Sequence, residues 1–244
     1  MYLTTQALVL RVTDYNDRDA LLTLLTKENG KMTVKARGLR RKNSPLIAPC
    51  QLLAFGEFTL FEYRGYYTVN EAHSVELFRP LHRDLVKLSL GTYFAQVAEV
   101  VSQEDSPNPE LLSLVLNCLH GLTQDSIPEL QVKAVFELRC ACLAGYMPDL
   151  SGCHLCGRED AVMFDLSGGA LLCDRCRPSG IRMPVNSSVL DAMRYITYCS
   201  PKKLFSFFMG QENLEQLSAL TEGYLTTQLE RGFSTLDFYK SLLI

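Results

Sequence analysis

Residues 20–37 read ALLTLLTKENGKMTVKAR, and the reading of this stretch decides the fold. Ala20 to Lys27 is apolar without strict alternation, the pattern of a strand covered on both faces. Asn29-Gly30 follows, and both residue types tolerate positive φ, so a reversal between two strands is expected here. Beyond it the chain alternates with period two. Lys31, Thr33, Lys35 and Arg37 fall on one face; Met32, Val34 and Ala36 fall on the other. The stretch therefore predicts a hairpin with an apolar inner face and a cationic outer one.

Outward from the hairpin, Gly38 releases the chain into a basic loop, Leu39 to Pro45. Lys31, Lys35, Arg37, Arg40, Arg41 and Lys42 place six cations in residues 31–42 with no acid among them. A charge run can be a merely solvated face, but such a face ordinarily mixes both signs. Leu3–Val12, Leu52–Tyr63 and Tyr66–Val75 read as further strands, the last two separated by an Arg64-Gly65 turn. Five strands without an intervening helix predict a small antiparallel β-barrel. An OB-fold has the nucleic-acid habit among such barrels, and an SH3-like barrel is the alternative. Phe55, Phe61 and Tyr63 share one face of the fourth strand, where they either stack on unpaired bases or fill the barrel and pack on the next domain.

The charge distribution agrees with a polyanion partner at one end. Residues 1–83 hold 12 Lys/Arg against 8 Asp/Glu, whereas residues 84–244 hold 12 against 19. With 47% hydrophobic and 21% charged residues over 244 positions, extensive disorder is excluded. No apolar run reaches the roughly 18 residues that span a bilayer. Met1 to Gln6 lacks the basic start and apolar run of a leader, so a cytoplasmic protein is expected.

Near Pro80 the period changes to about 3.6. Leu90, Phe94, Val97 and Val101 form one stripe; Asn108-Pro109 opens a second helix, and a third runs from Pro128 to a stop at Gly145. Two more helices are expected at about 187–199 and 212–231. Lys202 to Phe208 reads as a docking surface or, preferably, a buried turn. The organisation is α+β and multidomain: an OB barrel over 1–79, then an all-α domain over 80–244 with a cysteine module inserted at about 150–180.

That module is Cys153-x-x-Cys156 and Cys173-x-x-Cys176. Two such pairs at this separation match a zinc ribbon, and four thiolates leave no open position, so one structural Zn2+ is expected. An iron–sulfur cluster also accepts four cysteines, but its runs are usually more compact. Residues 162–166 and 170–172, hinged at Gly168-Gly169, read as a short hairpin between the pairs, and His154 as a bystander. Cys50, Cys118, Cys140, Cys142 and Cys199 read as small buried hydrophobes. No phosphate loop, nucleophile elbow, zincin or zinc-deaminase motif is present, so the sequence predicts a binding protein and no enzyme.

These residues resemble the bacterial RecO family of DNA-repair proteins. The resemblance is carried by Ala7–Leu10, Asp14-Tyr15, Leu24–Thr26, Asn29–Lys31, Ala36–Ser44 and Phe58–Leu60. It continues through Ala144–Leu150 into Cys153, Cys156, Cys173 and Cys176, and through Arg177 to Pro184. It implies an OB-fold and a helical domain with a zinc-finger-like insertion. It also implies binding of single- and double-stranded DNA, annealing of complementary strands, and work with RecR to load RecA onto DNA coated by single-strand-binding protein. DNA contact would fall on Lys31, Lys35, Arg37, Arg40, Arg41 and Lys42, the metal on the four cysteines, and location at the nucleoid. If all six cations met phosphates, the log–log salt slope on single strands would be roughly −4. An RNA-binding module associated with translation is the alternative, because OB barrels and zinc ribbons also serve RNA.

Overall fold

The five expected strands are β1 (Tyr2–Asp14), β2 (Ala20–Thr26), β3 (Lys31–Ala36), β4 (Phe55–Tyr63) and β5 (Tyr66–Glu76) in a computed structural model that describes residues 1–176 and 180–243. They close into a barrel in the order β1-β2-β3-β5-β4, with β4 returning onto β1. The inner face of β3 behaves as its alternation requires. Met32, Val34 and Ala36 are buried with Val9, Leu22, Leu24, Phe58 and Leu60, each large side chain contributing on the order of 1.5–3 kcal/mol. Leu39, Leu46, Cys50 and Ala54, from the run of turns between β3 and β4, join the same core.

One seam departs from the all-antiparallel expectation: β3 and β5 run parallel, pairing Val34 with Tyr67 and Lys35 with Thr68. Parity is the reason. Strands that alternate in direction around a ring of odd number must leave one like-directed pair, and an OB-fold puts it between the third and fifth strands.

The turns also sort differently from the sequence reading. Only Gly30 of the Asn29-Gly30 pair takes positive φ, at 66°. The register pairs Leu25 with Lys31, leaving a loop too long for a two-residue reversal. Thr26 holds it instead, its amide and its hydroxyl donating to the Gly30 carbonyl at 2.9 and 2.8 Å. The reversal with two positive φ values lies at Arg64 (52°) and Gly65 (79°), between the paired Tyr63 and Tyr66.

The remaining elements are α1 (Leu85–Val101), α2 (Pro109–Leu122), α3 (Glu129–Leu143), β6 (Asp149–Cys153), β7 (Ala161–Asp165), β8 (Ala170–Cys173), β9 (Arg182–Pro184), α4 (Ser187–Tyr198), α5 (Gln211–Gln228) and α6 (Ser234–Ser241). Contacts divide the chain into two units: 1–123 with 233–244, and 124–232. The first unit thus holds α1, α2 and α6 together with the barrel. Asn108 caps α2 as its sequence predicts, its side-chain oxygen accepting from the Leu111 amide at 2.9 Å, with Pro109 at the first helical position. The eight-residue α6, too short to show a stripe, was not expected; Leu236 and Tyr239 bury it, and Phe233 meets the Tyr93 ring edge-on at 5.7 Å.

In the second unit α3 is buried nearly all round and ends where Gly145 takes φ 96°, with the Tyr146 amide donating to the Ala141 carbonyl. The expected hairpin is β7–β8, antiparallel; β6 and β9 widen it to a sheet in the order β6-β8-β7-β9. Of the stretch Arg177 to Pro184, the first three residues lie outside the described residues, and Arg182–Pro184 forms β9. Lys202 to Phe208 is not a simple buried turn: Leu204 is buried, but Phe208 is 97% exposed. Of the five scattered cysteines, Cys50, Cys118 and Cys140 are buried, while Cys142 and Cys199 are half-buried.

Candidate nucleic-acid interface and cysteine cluster

The outer face of β3 and the loop after it carry the six cations, and the structure divides them into two groups. Lys31 is half-buried, its ammonium donating to the Glu99 carbonyl of α1 at 2.9 Å. Lys35 pairs with Asp19 at 3.0 Å and lies 4.4 Å from the centre of the Tyr15 ring. Arg40 pairs with Asp14, in a bridge that leaves both side chains largely exposed. Arg37, Arg41 and Lys42 are exposed and make no ion pair among the described residues. The basic run is free of acids in sequence but not in space, because Asp14 and Asp19 reach it from the β1–β2 connection.

Asp19 organises that connection. Its carboxylate accepts the Gly38 amide at 2.8 Å, the Lys35 ammonium and the Asn16 amide at 3.1 Å. The Gly38 hydrogen bond first, and then Lys35, hold the Asp19 pKa down at about 2. Gly38 takes φ 67°, which favours glycine, so the loop leaves β3 in one direction with the Arg41 side chain lying against it.

Two grooves flank this ridge. One, of about 780 Å³, is lined by Arg37, Arg41, Asn43 and Ser44 opposite Glu71 and His73 of β5. The other, of about 670 Å³, is lined by Lys31, Lys35, Arg37, Tyr15, Tyr66 and Tyr67, with Glu104 and Asp105 as its acidic members. Arg37 borders both. Tyr15 entered the sequence reading only within the Asp14-Tyr15 motif and Tyr66 only as the start of a strand, neither as a binding residue; the signal was their place at the ends of the β1–β2 and β4–β5 connections, which an OB-fold brings to its binding face. Of the fourth-strand aromatics, Phe61 (39% exposed) and Tyr63 (60% exposed) point out of the barrel, which Phe58 and Leu60 fill. Phe61 rests on Tyr2 at 5.3 Å, and the Arg64 guanidinium lies 5.2 Å from the Tyr63 ring.

The four predicted cysteines meet in the second unit. The Sγ atoms of Cys153, Cys156, Cys173 and Cys176 lie within 4.8 Å of one another. Cys156 and Cys173 are 3.7 Å apart, close to the roughly 3.8 Å that a tetrahedron with 2.3 Å metal–sulfur bonds requires. The donor set and its spacing therefore fit one tetrahedral thiophilic cation. Backbone donors, the Cys173 amide foremost, lower the Cys153 thiol to about 6, whereas hydrogen bonding to Cys156 and Cys173 raises Cys176 to about 12. One thiol is thus held ready as a thiolate, and crowding resists a second charge unless a cation shares it. Positive φ at Gly157 (74°) closes the first knuckle, where the Gly157 amide donates to the Cys153 carbonyl at 2.7 Å. His154 is outside the cluster and faces Asp149 at 3.6 Å.

Sequence comparisons agree with this architecture along nearly the whole chain. The family model described as "Recombination protein O N terminal" matches residues 1–78, and "Recombination protein O C terminal" matches residues 82–237. The DNA repair protein RecO of Acetivibrio thermocellus is 32% identical, over 99% of this chain and 97% of its own. The DNA repair protein RecO of Alkaliphilus metalliredigens is 28% identical, over 99% of this chain and 100% of its own. That of Bacillus subtilis is 26% identical, over 90% and 86%. No helix among the described residues is long and apolar enough to cross a membrane. With a closed five-stranded barrel in front, helices and a four-cysteine cluster behind, and both halves matched in order, the chain belongs to the RecO family of DNA repair proteins.

Proposed function

We propose that the chain is a non-enzymatic recombination mediator at the nucleoid. It binds single- and double-stranded DNA through backbone phosphates, anneals complementary strands and, with RecR, helps load RecA onto single strands coated by single-strand-binding protein. The DNA-binding part is residues 1–79. The observation that carries the reading is the open set Arg37, Arg41 and Lys42, of which Arg37 lines both grooves and Arg41 the larger one. Cations that grip phosphates do not read bases, so either strand of a duplex can be held and released into pairing. Lys31, Lys35 and Arg40 sit beside them, and they join only if DNA phosphates displace the Glu99 carbonyl, Asp19 and Asp14.

Counting the three open cations alone, the single-strand log–log salt slope is about −2. Replacing Arg37 and Arg41 with Ala should flatten it by about 1.4 and slow annealing of complementary oligonucleotides. An unchanged slope removes both arginines from the site. The cysteine cluster is assigned one structural Zn2+, held by Cys153, Cys156, Cys173 and Cys176. Its contribution is to fix a small sheet that has too little core to fold alone.

A further inference from the structure

The second unit is acidic in sum, yet residues 192–211 contain Arg194, Lys202 and Lys203 and no acid. Arg194 is spent inside the unit, donating twice to the Leu150 carbonyl at 3.0 and 2.8 Å. Lys202 and Lys203 are exposed and make no ion pair among the described residues. Before and after them in the chain stand exposed aromatic side chains: Tyr198 is 70% exposed and Phe208 is 97% exposed.

This exposure is not that of a loose loop. Tyr195 donates its hydroxyl to the Lys203 carbonyl at 2.7 Å and packs its ring against Phe207 at 5.6 Å, so the two ends of the loop meet on one side chain. From α3, the Gln131 side-chain amide donates to the carbonyls of Phe205 and Phe207 at 3.3 and 3.0 Å. Leu204 is buried beneath. The backbone is thus clamped from α3 and α4, and the clamp holds Phe208 in water on the same loop as two unpaired ammonium groups. Holding a phenyl ring in water forgoes the stabilisation that its burial would give.

We propose that Tyr198, Lys202, Lys203 and Phe208 form a second contact for single-stranded nucleic acid, separate from the barrel face. Charge complementarity chooses the occupant. Unpaired lysines on one loop with open aromatic rings match a strand that alternates phosphate with planar bases, and stacking on such rings favours unpaired bases without regard to sequence. The inference rests on the reading that the chain binds single strands, and it adds that such strands are held at two places. Two holds on separate units let one molecule keep two strands at high local concentration, which annealing needs.

The chain contains no tryptophan, so Phe208→Trp in the full protein creates a single emitter at this loop. The probe is a long oligothymidylate carrying a fluorophore, whose anisotropy reports binding anywhere on the protein. Expected is quenching of the Trp emission by at least about half on saturation with the oligothymidylate. Replacing Lys202 and Lys203 with Gln should abolish most of that quenching and flatten the salt slope of the Trp signal by about 1.4. If anisotropy saturates while Trp emission stays unchanged, the second contact is wrong and the barrel reading stands. If neither signal changes, both are wrong. Quenching by polyglutamate but not by the oligothymidylate would also overturn the proposal, by assigning the loop to an acidic protein segment.

Discussion

Asp19 ties the β1–β2 connection to the outer face of β3 and the start of the basic loop, neighbouring segments that lie far from it in sequence. Its carboxyl titrates at about 2, below its ordinary 3.8, so the tie contributes stability above about pH 4 and loses it as pH falls towards 2. Asp19→Asn should release Lys35 to solvent and steepen the single-strand salt slope by about 0.7, measured by anisotropy over a salt series. A slope that stays level would mean that Lys35 remains committed to the protein. The cationic face was legible in the sequence because side chains on β3 alternate, and one line of residues shows which way each points. The neutralising acids were not, because they arrive from another connection. The two-residue reversal expected at Asn29-Gly30 would give another register; the observed one, with Leu21 opposite Lys35, sets Asp19 diagonal to Lys35.

Between helices α3 and α5, charge is buried with its partners. Lys133 is 2% exposed, and its ammonium meets Glu137 and Glu222 at 2.9 Å each and the Ser218 hydroxyl at 3.2 Å. Burial works against the ammonium, but the two carboxylates outweigh it and keep the Lys133 pKa above its ordinary value. Burial likewise raises Glu137, more than Lys133 lowers it. Lys133→Met should destabilise the second unit by about 3–5 kcal/mol in chemical denaturation, because it strands Glu137 without a cation. Adding Glu137→Met should recover part of that loss; no recovery would show that packing and not charge sets the cost. Helices of this length were readable from their apolar stripes. Lys133 and Glu137 were not, since a stripe reading assigns charged residues to solvent, and α6 escaped because eight residues make barely two turns.

Across the whole chain, the barrel and the cysteine sheet draw their stability from different sources. The barrel has a single apolar core filled from every strand, whereas the sheet β6–β9 has a small cluster around Cys153, Leu172 and Cys173. A strong metal chelator added to the full protein should therefore accelerate hydrogen exchange in β6 to β9 and leave β1 to β5 protected. Equal acceleration in the barrel would show that the metal supports both. The spacing of the four cysteines made this division readable from sequence. The grouping of α1, α2 and α6 with the barrel was not, because period alone does not say which core a helical stripe faces.

The ring of five strands also has a weakest stitch. Its like-directed seam is fastened at only two positions, Val34 with Tyr67 and Lys35 with Thr68, while every other join runs longer. A cylinder stitched so unevenly should open there first, with Lys35 on one margin and Tyr67 on the other, and amide exchange at β3 and β5 ahead of the other barrel strands is the expected sign. Any breathing of this barrel would then be aimed at its charged side, where a passing polymer would meet the unzipped edge.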